Sequence, residues 1–174
     1  LPATYGEYPD EKFPLFIFNH GNAANAYISE STPLKSLLLL GRYGGIATLL
    51  SEDRWDENDA FIALSPQRDD PRNDPIERFD AFIDFAIATY NVDPKRIYIT
   101  GWSQGAFLTY YYAKDHPEKV AAIVPLAGGM YIDNMTPEEY CSLETVPIWA
   151  FHGHDDDEIL PQFGIDTITN IQQQ

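Results

Sequence analysis

The chain has 174 residues, of which 44% are hydrophobic and 14% aromatic, which is the size and composition of one globular domain. Its formal net charge of −16 argues against nucleic acid or an anionic membrane as a partner, because both are bound by basic surfaces. No apolar run approaches the roughly 20 residues of a membrane span. The single cysteine, Cys141, excludes an internal disulfide and a cysteine-based zinc site.

Strand-like and helix-like segments alternate along the chain. In order, the predicted elements are a strand at 15–18, a helix at 32–40, a strand at 60–64, a helix at 74–90, a strand at 96–100, a helix at 104–115, a strand at 120–125, a short helix from 136, a strand at 147–151 and a helix at 161–170. The strands are continuously apolar, which is typical of a sheet covered on both faces. The alternation predicts a doubly wound, mostly parallel α/β sheet. Since no repeat or linker interrupts it, we expect residues 1–174 to form one domain.

Two local expectations follow from turn and cap residues. Asp74 is predicted to cap the second helix, with Pro75 at its first helical position and Glu77 completing a capping box. The glycine-rich and then charged segment at 41–58 is expected to be a surface excursion.

Three polar motifs follow the first, third and fifth predicted strands. They read Asn-His-Gly-Asn at 19–22, Gly-Trp-Ser-Gln-Gly at 101–105 and His-Gly-His-Asp-Asp-Asp at 152–157. In open parallel sheets, ligands bind at the carboxyl ends of the strands. Three polar motifs on one sheet edge therefore predict a site.

The second motif is a G-x-S-x-G sequence between a strand and a helix. This pattern holds a serine on a sharp turn, exposes its hydroxyl and aims the next backbone N–H at a reacting carbonyl. Glycines flank the serine because the turn is strained and crowded. Ser103 is therefore predicted to be a nucleophile.

With these motifs the chain resembles the α/β-hydrolase superfamily, and within it the esterases related to polyhydroxybutyrate depolymerases, feruloyl esterases and acetyl xylan esterases. The resemblance rests on residues 14–21, 92–105 and 147–153 and covers nearly the whole chain. It implies a serine carboxylic-ester hydrolase that forms an acyl-enzyme and needs neither cofactor nor metal. The substrate would be a small-molecule or polysaccharide-linked ester, and the location secreted or periplasmic.

The resemblance also implies residue roles. Ser103 would be the nucleophile, and the backbone N–H groups of Gln104 and Asn22 would form the oxyanion hole. Asp156 would orient the catalytic histidine, although Asp155 and Asp157 flank it and stay as alternatives.

The expected base is the largest departure from the family's pattern. The order should be serine, acid, then histidine, yet the histidines are His20, His116, His152 and His154, and none follows Asp156. His154 is the one candidate near the acid loop. We therefore expect an incomplete hydrolase core that lacks the leading antiparallel strands, the final strand and the loop with the catalytic histidine, and that is weak or inert by itself.

Other interpretations stay open beside this one. The missing histidine favours a non-catalytic, hydrolase-like binding module, and a peptidase or thioesterase would use the same fold. His20 and His152 fit structural roles better than catalytic ones. The acidic run at 155–158 could bind calcium, and Trp102 could line an acyl pocket or pack beside the turn.

Overall fold

A four-stranded sheet lies at the centre of the computed structural model, which describes residues 1–8, 10–22, 45–56, 60–68, 75–131 and 135–173. The strands are β1 (Phe13–Asn19), β2 (Ile62–Leu64), β3 (Val92–Trp102) and β4 (Ala122–Leu126). Their order is β2-β1-β3-β4, and every neighbouring pair is parallel. This confirms the predicted parallel α/β sheet. The helix predicted at 32–40 lies outside the described residues.

The predicted fifth strand runs parallel to β4 but does not form a continuous ladder with it. Ile148 and Phe151 make isolated bridges to Ile123 and Leu126. The Phe151 N–H donates to the Pro125 carbonyl at 3.0 Å, and the Ala127 N–H donates back to the Phe151 carbonyl at 2.8 Å. Residues 147–151 therefore extend the sheet beyond β4 and place the next loop at the same edge.

The described helices are α1 (Ile46–Ser51), α2 (Ile76–Thr89), α3 (Gln104–Asp115), α4 (Pro137–Cys141) and α5 (Gln162–Gln172), with a 3-10 turn at Pro117–Lys119. Helix α1 lies within the segment 41–58 that was expected to be a surface excursion, and residues 52–54 and 56 of that segment are exposed. Its first residue, Ile46, is only 3% exposed, and burying this apolar side chain stabilises the position of the helix.

The two predicted helix starts have different outcomes. Thr136 and Glu139 form a capping box at the start of α4, in which the Thr136 N–H donates to Glu139 Oε2 at 2.8 Å. The N-cap of α2 is Pro75 rather than Asp74, and none of the described side chains caps it. The proline ring holds φ at −62°, and the Pro75 carbonyl accepts from the Arg78 N–H at 3.0 Å. Asp74 itself lies outside the described residues.

The two faces of the sheet are packed differently. Leu15, Ile17, Ile97 and Ile99 are at most 1% exposed. The alternate residues Phe16 and Tyr98 lie on the opposite face, where they meet Phe61 at ring-centroid distances of 6.0 and 5.9 Å.

Two glycines bring α3 into direct contact with the sheet backbone. A Cβ on Gly105 would collide with the carbonyl of Asn19 at the end of β1, and one on Gly101 would collide with the carbonyl of Gly105. Gly153, in contrast, has no atom within 4 Å of the place where a Cβ would stand.

We predict that Gly105→Ala lowers the free energy of unfolding by about 1–3 kcal/mol, since two backbones must separate to admit a methyl group. This cost exceeds the roughly 1 kcal/mol that alanine gains over glycine inside a helix. Urea unfolding followed by circular dichroism measures the effect. Gly153→Ala is the control and is expected to stay within about 0.5 kcal/mol of the parent. Equal midpoints for the two variants would contradict the prediction.

Candidate active site

Ser103 lies on the sharp turn between β3 and α3. Its backbone has φ 56° and ψ −119°, a conformation that non-glycine residues rarely adopt. Its N–H donates to the Leu126 carbonyl at 2.9 Å, and its carbonyl accepts from the Ala106 N–H at 2.9 Å. These bonds hold the strained turn between the end of β4 and the first turn of α3, as the G-x-S-x-G pattern predicts.

The first motif lies directly beside this turn. Asn19 pairs in register with Gly101, so the ends of β1 and β3 are neighbours. A Cβ on Gly21 would stand 3.3 Å from the Ser103 Cβ and 3.0 Å from the Trp102 ring. Asn22, which follows Gly21, is exposed.

Gln104 begins α3, and the N–H groups in the first turn of a helix have no acceptor within the helix. The fold therefore gathers the predicted serine and both predicted donor residues, Gln104 and Asn22, at one edge of the sheet. The positive end of the α3 dipole lies at the same edge.

His20 has a structural role here. It is 2% exposed, its Nδ1–H donates to the Gly21 carbonyl at 3.0 Å, and its Nε2 accepts from the backbone N–H of Arg68 at 2.9 Å. Both ring nitrogens are used, so the ring is the neutral tautomer with its proton on Nδ1. Burial lowers the pKa of His20, and the charge of Arg68 lowers it further.

The loop after residue 151 holds one of its three aspartates in place. Asp156 Oδ1 accepts from the N–H groups of Glu158 at 3.1 Å and Ile159 at 3.0 Å. Its Oδ2 lies 3.4 Å from His152 Nε2. The bond from Ile159, helped by Glu158 and His152, lowers the pKa of Asp156 below its usual value. Asp156 is therefore a fixed carboxylate.

Its neighbour is placed differently. The Asp155 side chain is 97% exposed, and its only described partner is His154, whose Nδ1 lies 2.7 Å from Asp155 Oδ1. Asp157 is also exposed. Among the three alternatives left open by the sequence, Asp156 is the one that the fold orients.

The sequence did not single out Ala127 and Gly128, which connect the serine turn to the acid loop. Ala127 has φ 52°, a second strained non-glycine residue at this edge. A Cβ on Gly128 would lie 3.2 Å from the Ser103 carbonyl, and Gly164 of α5 packs against the Gly128 carbonyl in turn. The one available signal was the Gly-Gly pair at 128–129, which begins two residues after the apolar strand β4.

Within the described ranges, none of the four histidines hydrogen-bonds to the Ser103 hydroxyl. The ring nitrogens of His20 are hydrogen-bonded to Gly21 and Arg68, and His152 Nε2 is hydrogen-bonded to the Ile159 carbonyl. The His154 side chain is 98% exposed, and His116 lies at the other end of α3. The expectation that the base is absent from this chain stays a prediction.

Metal binding was the remaining alternative for the acidic run at 155–158. In the part of the chain that the structure describes, no three His, Cys, Asp or Glu side chains converge as a metal site. No described helix has the length and apolarity needed to cross a bilayer.

We predict that the free energy of unfolding falls as the pH is lowered from about 6.5 toward 5, because His20 stays neutral in the folded protein. The unfolded chain takes up a proton near the ordinary value of 6.5, whereas the folded chain takes it up only at lower pH. The contribution is therefore complete above 6.5 and is lost below it. His20→Gln, whose amide does not titrate in this range, should show a flatter dependence in urea titrations across this range. An identical slope in both proteins would contradict the prediction.

Comparisons with known proteins agree with this architecture. The chain is 43% identical over 49 residues to poly(3-hydroxyalkanoate) depolymerase C of Paucimonas lemoignei, covering 28% of this chain and 12% of that protein. It is 31% identical over 112 residues to the putative esterase NocK of Nocardia uniformis subsp. tsuyamanensis, covering 60% and 30%. The chain thus spans less than a third of these curated relatives.

Among solved structures, the chain is similar to a thermostable esterase with a TM-score of 0.76 and 25% identity. The match covers 99% of this chain and 46% of the esterase. Residues 54–173 match the Phospholipase/Carboxylesterase family. With the parallel sheet and the serine turn at its carboxyl edge, the chain belongs to the phospholipase/carboxylesterase family and has the α/β-hydrolase fold.

Proposed function

We propose that this chain is the nucleophile-bearing core of a serine carboxylic-ester hydrolase that works through an acyl-enzyme. The observation that carries the proposal is the strained backbone of Ser103, held between β3 and the start of α3. Strain at a non-glycine residue is kept where the surrounding structure imposes it, and such residues cluster at active sites. Membership of the phospholipase/carboxylesterase family supports the same activity.

In the proposed reaction, the Ser103 hydroxyl oxygen attacks the ester carbonyl carbon and gives up its proton to a base. The N–H groups of Gln104 and Asn22 hold the oxyanion that forms. One such donor typically contributes roughly 3–4 kcal/mol to the transition state. The alcohol leaves with a proton from the base, and water then hydrolyses the acyl-enzyme and restores the hydroxyl.

A serine hydroxyl needs a base within hydrogen-bonding reach, and we propose that this base is a histidine outside residues 1–174. The described histidines are each placed elsewhere. Asp156 would accept a hydrogen bond from this histidine and hold its tautomer, because Asp156 alone among the three loop aspartates is fixed by backbone N–H groups.

For the substrate, we propose a broad class of esters. The ester would be a small molecule or part of a polymer or polysaccharide, in keeping with the depolymerase and esterase names of the relatives. Trp102 is 40% exposed beside Ser103, with its ring against Gly21. We propose that this indole contacts the substrate next to the reacting ester.

A second candidate is a binding module without catalysis. It is favoured by one observation, namely that no described histidine reaches the Ser103 hydroxyl. A thioesterase or peptidase would share the serine turn and the proposed oxyanion donors, and a panel of ester, thioester and peptide substrates separates these activities.

We predict that a fluorophosphonate probe labels the full-length protein at Ser103 and that Ser103→Ala abolishes the labelling. Hydrolysis of short p-nitrophenyl esters should fall by ~10⁴-fold or more, because the attacking oxygen is gone. Ser142→Ala is the control, since the Ser142 hydroxyl only donates to the Glu139 carbonyl in α4. Equal activity of Ser103→Ala and the parent would remove Ser103 from the mechanism. A folded parent that neither reacts with the probe nor hydrolyses any ester would favour the binding module.

We also predict that Asp156→Asn lowers kcat for the same esters by roughly 10³- to 10⁴-fold, since the amide favours the wrong tautomer of the catalytic histidine. Asp155→Asn and Asp157→Asn make the same change of charge and shape in the same loop, and each should stay within a few-fold of the parent. A greater loss in either control would transfer the role to that aspartate.

A further inference from the structure

We propose that His152 is a positioning residue that holds the Asp156 carboxylate in its working orientation. The inference rests on the proposed function of Asp156 and assigns a role to a histidine that takes no part in proton transfer. It starts from the loop at 152–159, which His152 closes through its own ring.

The imidazole joins the two ends of this loop. His152 Nε2–H donates to the Ile159 carbonyl at 2.7 Å, and the same nitrogen lies 3.4 Å from Asp156 Oδ2. The Ile159 N–H in turn donates to Asp156 Oδ1 at 3.0 Å. Ile159 is therefore bound through its carbonyl to the ring and through its N–H to the carboxylate, so that the ring and the two oxygens of Asp156 form one connected unit.

The Nδ1 side of the His152 ring faces helix α5. The His152 side chain is 12% exposed and borders a cavity of about 300 Å³ between residues 150–152 and α5. A Cβ on Gly164 of α5 would stand 3.2 Å from His152 Nδ1, so a larger residue there would press on the ring. Because Gly164 has no side chain, there is room for the His152 ring between α5 and the acid loop.

The hydrogen bonds also define the state of the ring. Nδ1 is buried and has no hydrogen-bond partner among the described residues, whereas Nε2 faces a carbonyl acceptor. A proton on Nδ1 would be a buried donor without an acceptor, which is costly. In the neutral ring the proton therefore lies on Nε2, from which it is donated to the Ile159 carbonyl. The same nitrogen lies 3.4 Å from Asp156 Oδ2, so the ring limits the carboxylate on that side.

The arrangement leaves Asp156 available for a further partner. Its side chain is 23% exposed, and Oδ1 already accepts two backbone bonds. Oδ2, limited on one side by His152, is the oxygen that can accept from a catalytic histidine. Without the ring, the carboxylate could rotate and Oδ2 would lose this direction.

The test uses the full-length protein with p-nitrophenyl esters and three variants. His152→Leu removes the donor at similar volume, His152→Gln keeps an N–H donor in the place of Nε2, and His154→Leu changes the neighbouring exposed histidine. We expect His152→Leu to lower kcat about 10- to 100-fold with KM within about two-fold, as for residues that orient a functional group from behind it. His152→Gln should recover most of the activity, and His154→Leu should match the parent.

A double variant separates positioning from mere stability of the fold. In an Asp156→Asn background, His152→Leu should cause no further loss of kcat, because its target is already gone. All rates are measured well below the unfolding transition of each variant. A loss of the same factor in both backgrounds, or a His152→Leu enzyme within two-fold of the parent, would overturn the proposal.

A readout without catalysis keeps this inference distinct from the proposed function. Carbon-13 NMR of the Asp156 carboxyl group gives its pKa directly, and we expect that pKa to rise in His152→Leu but not in His154→Leu. If the protein hydrolyses no ester while this rise occurs, the proposed function fails and the orienting contact stands. An unchanged Asp156 titration in His152→Leu would overturn the inference whatever the activity.

Discussion

The direct contact between the backbone of α3 and the end of β1 determines where everything else in the site lies. Gly105 packs against the Asn19 carbonyl and Gly101 packs against Gly105, so neither position has room for a side chain. At this contact the chain leaves β3 through the strained conformation of Ser103, and Gly21 lies next to the serine. Because protein interiors are close-packed, this contact between two backbones leaves α3 little freedom to move relative to β1.

Hydrogen bonds connect the serine turn to its neighbours along the same edge of the sheet. The Ser103 N–H donates to the Leu126 carbonyl, and the Ala127 N–H donates to the Phe151 carbonyl, so the serine turn, the end of β4 and the start of the acid loop are linked side by side. Beyond Phe151, the loop is kept in shape by its own bonds, through Asp156 and the His152 ring. Parallel pairing thus lets residues about 50 positions apart share one site.

Local electrostatics at this edge differ from the overall charge of the chain. The net charge of −16 would raise the pKa of acids in general through repulsion, yet backbone N–H groups lower the pKa of Asp156. His20, whose neighbour Gly21 lies beside the serine turn, is kept neutral by burial and by bonds to both ring nitrogens. Short-range donors and desolvation therefore decide the protonation states at the site.

The sequence by itself determined the parallel α/β sheet and the meeting of its three motifs at one edge. Apolar strands, glycines around Ser103 and the strand-helix order act through local geometry, which spacing alone reveals. Only the tertiary structure decided that Asp156 rather than Asp155 is held, that His20 binds the Arg68 backbone 48 residues away, that α1 lies in the supposed surface excursion and that Pro75 is the N-cap of α2. These outcomes depend on hydrogen bonds and burial between distant segments, whose free energies are set by three-dimensional neighbours that no local pattern records.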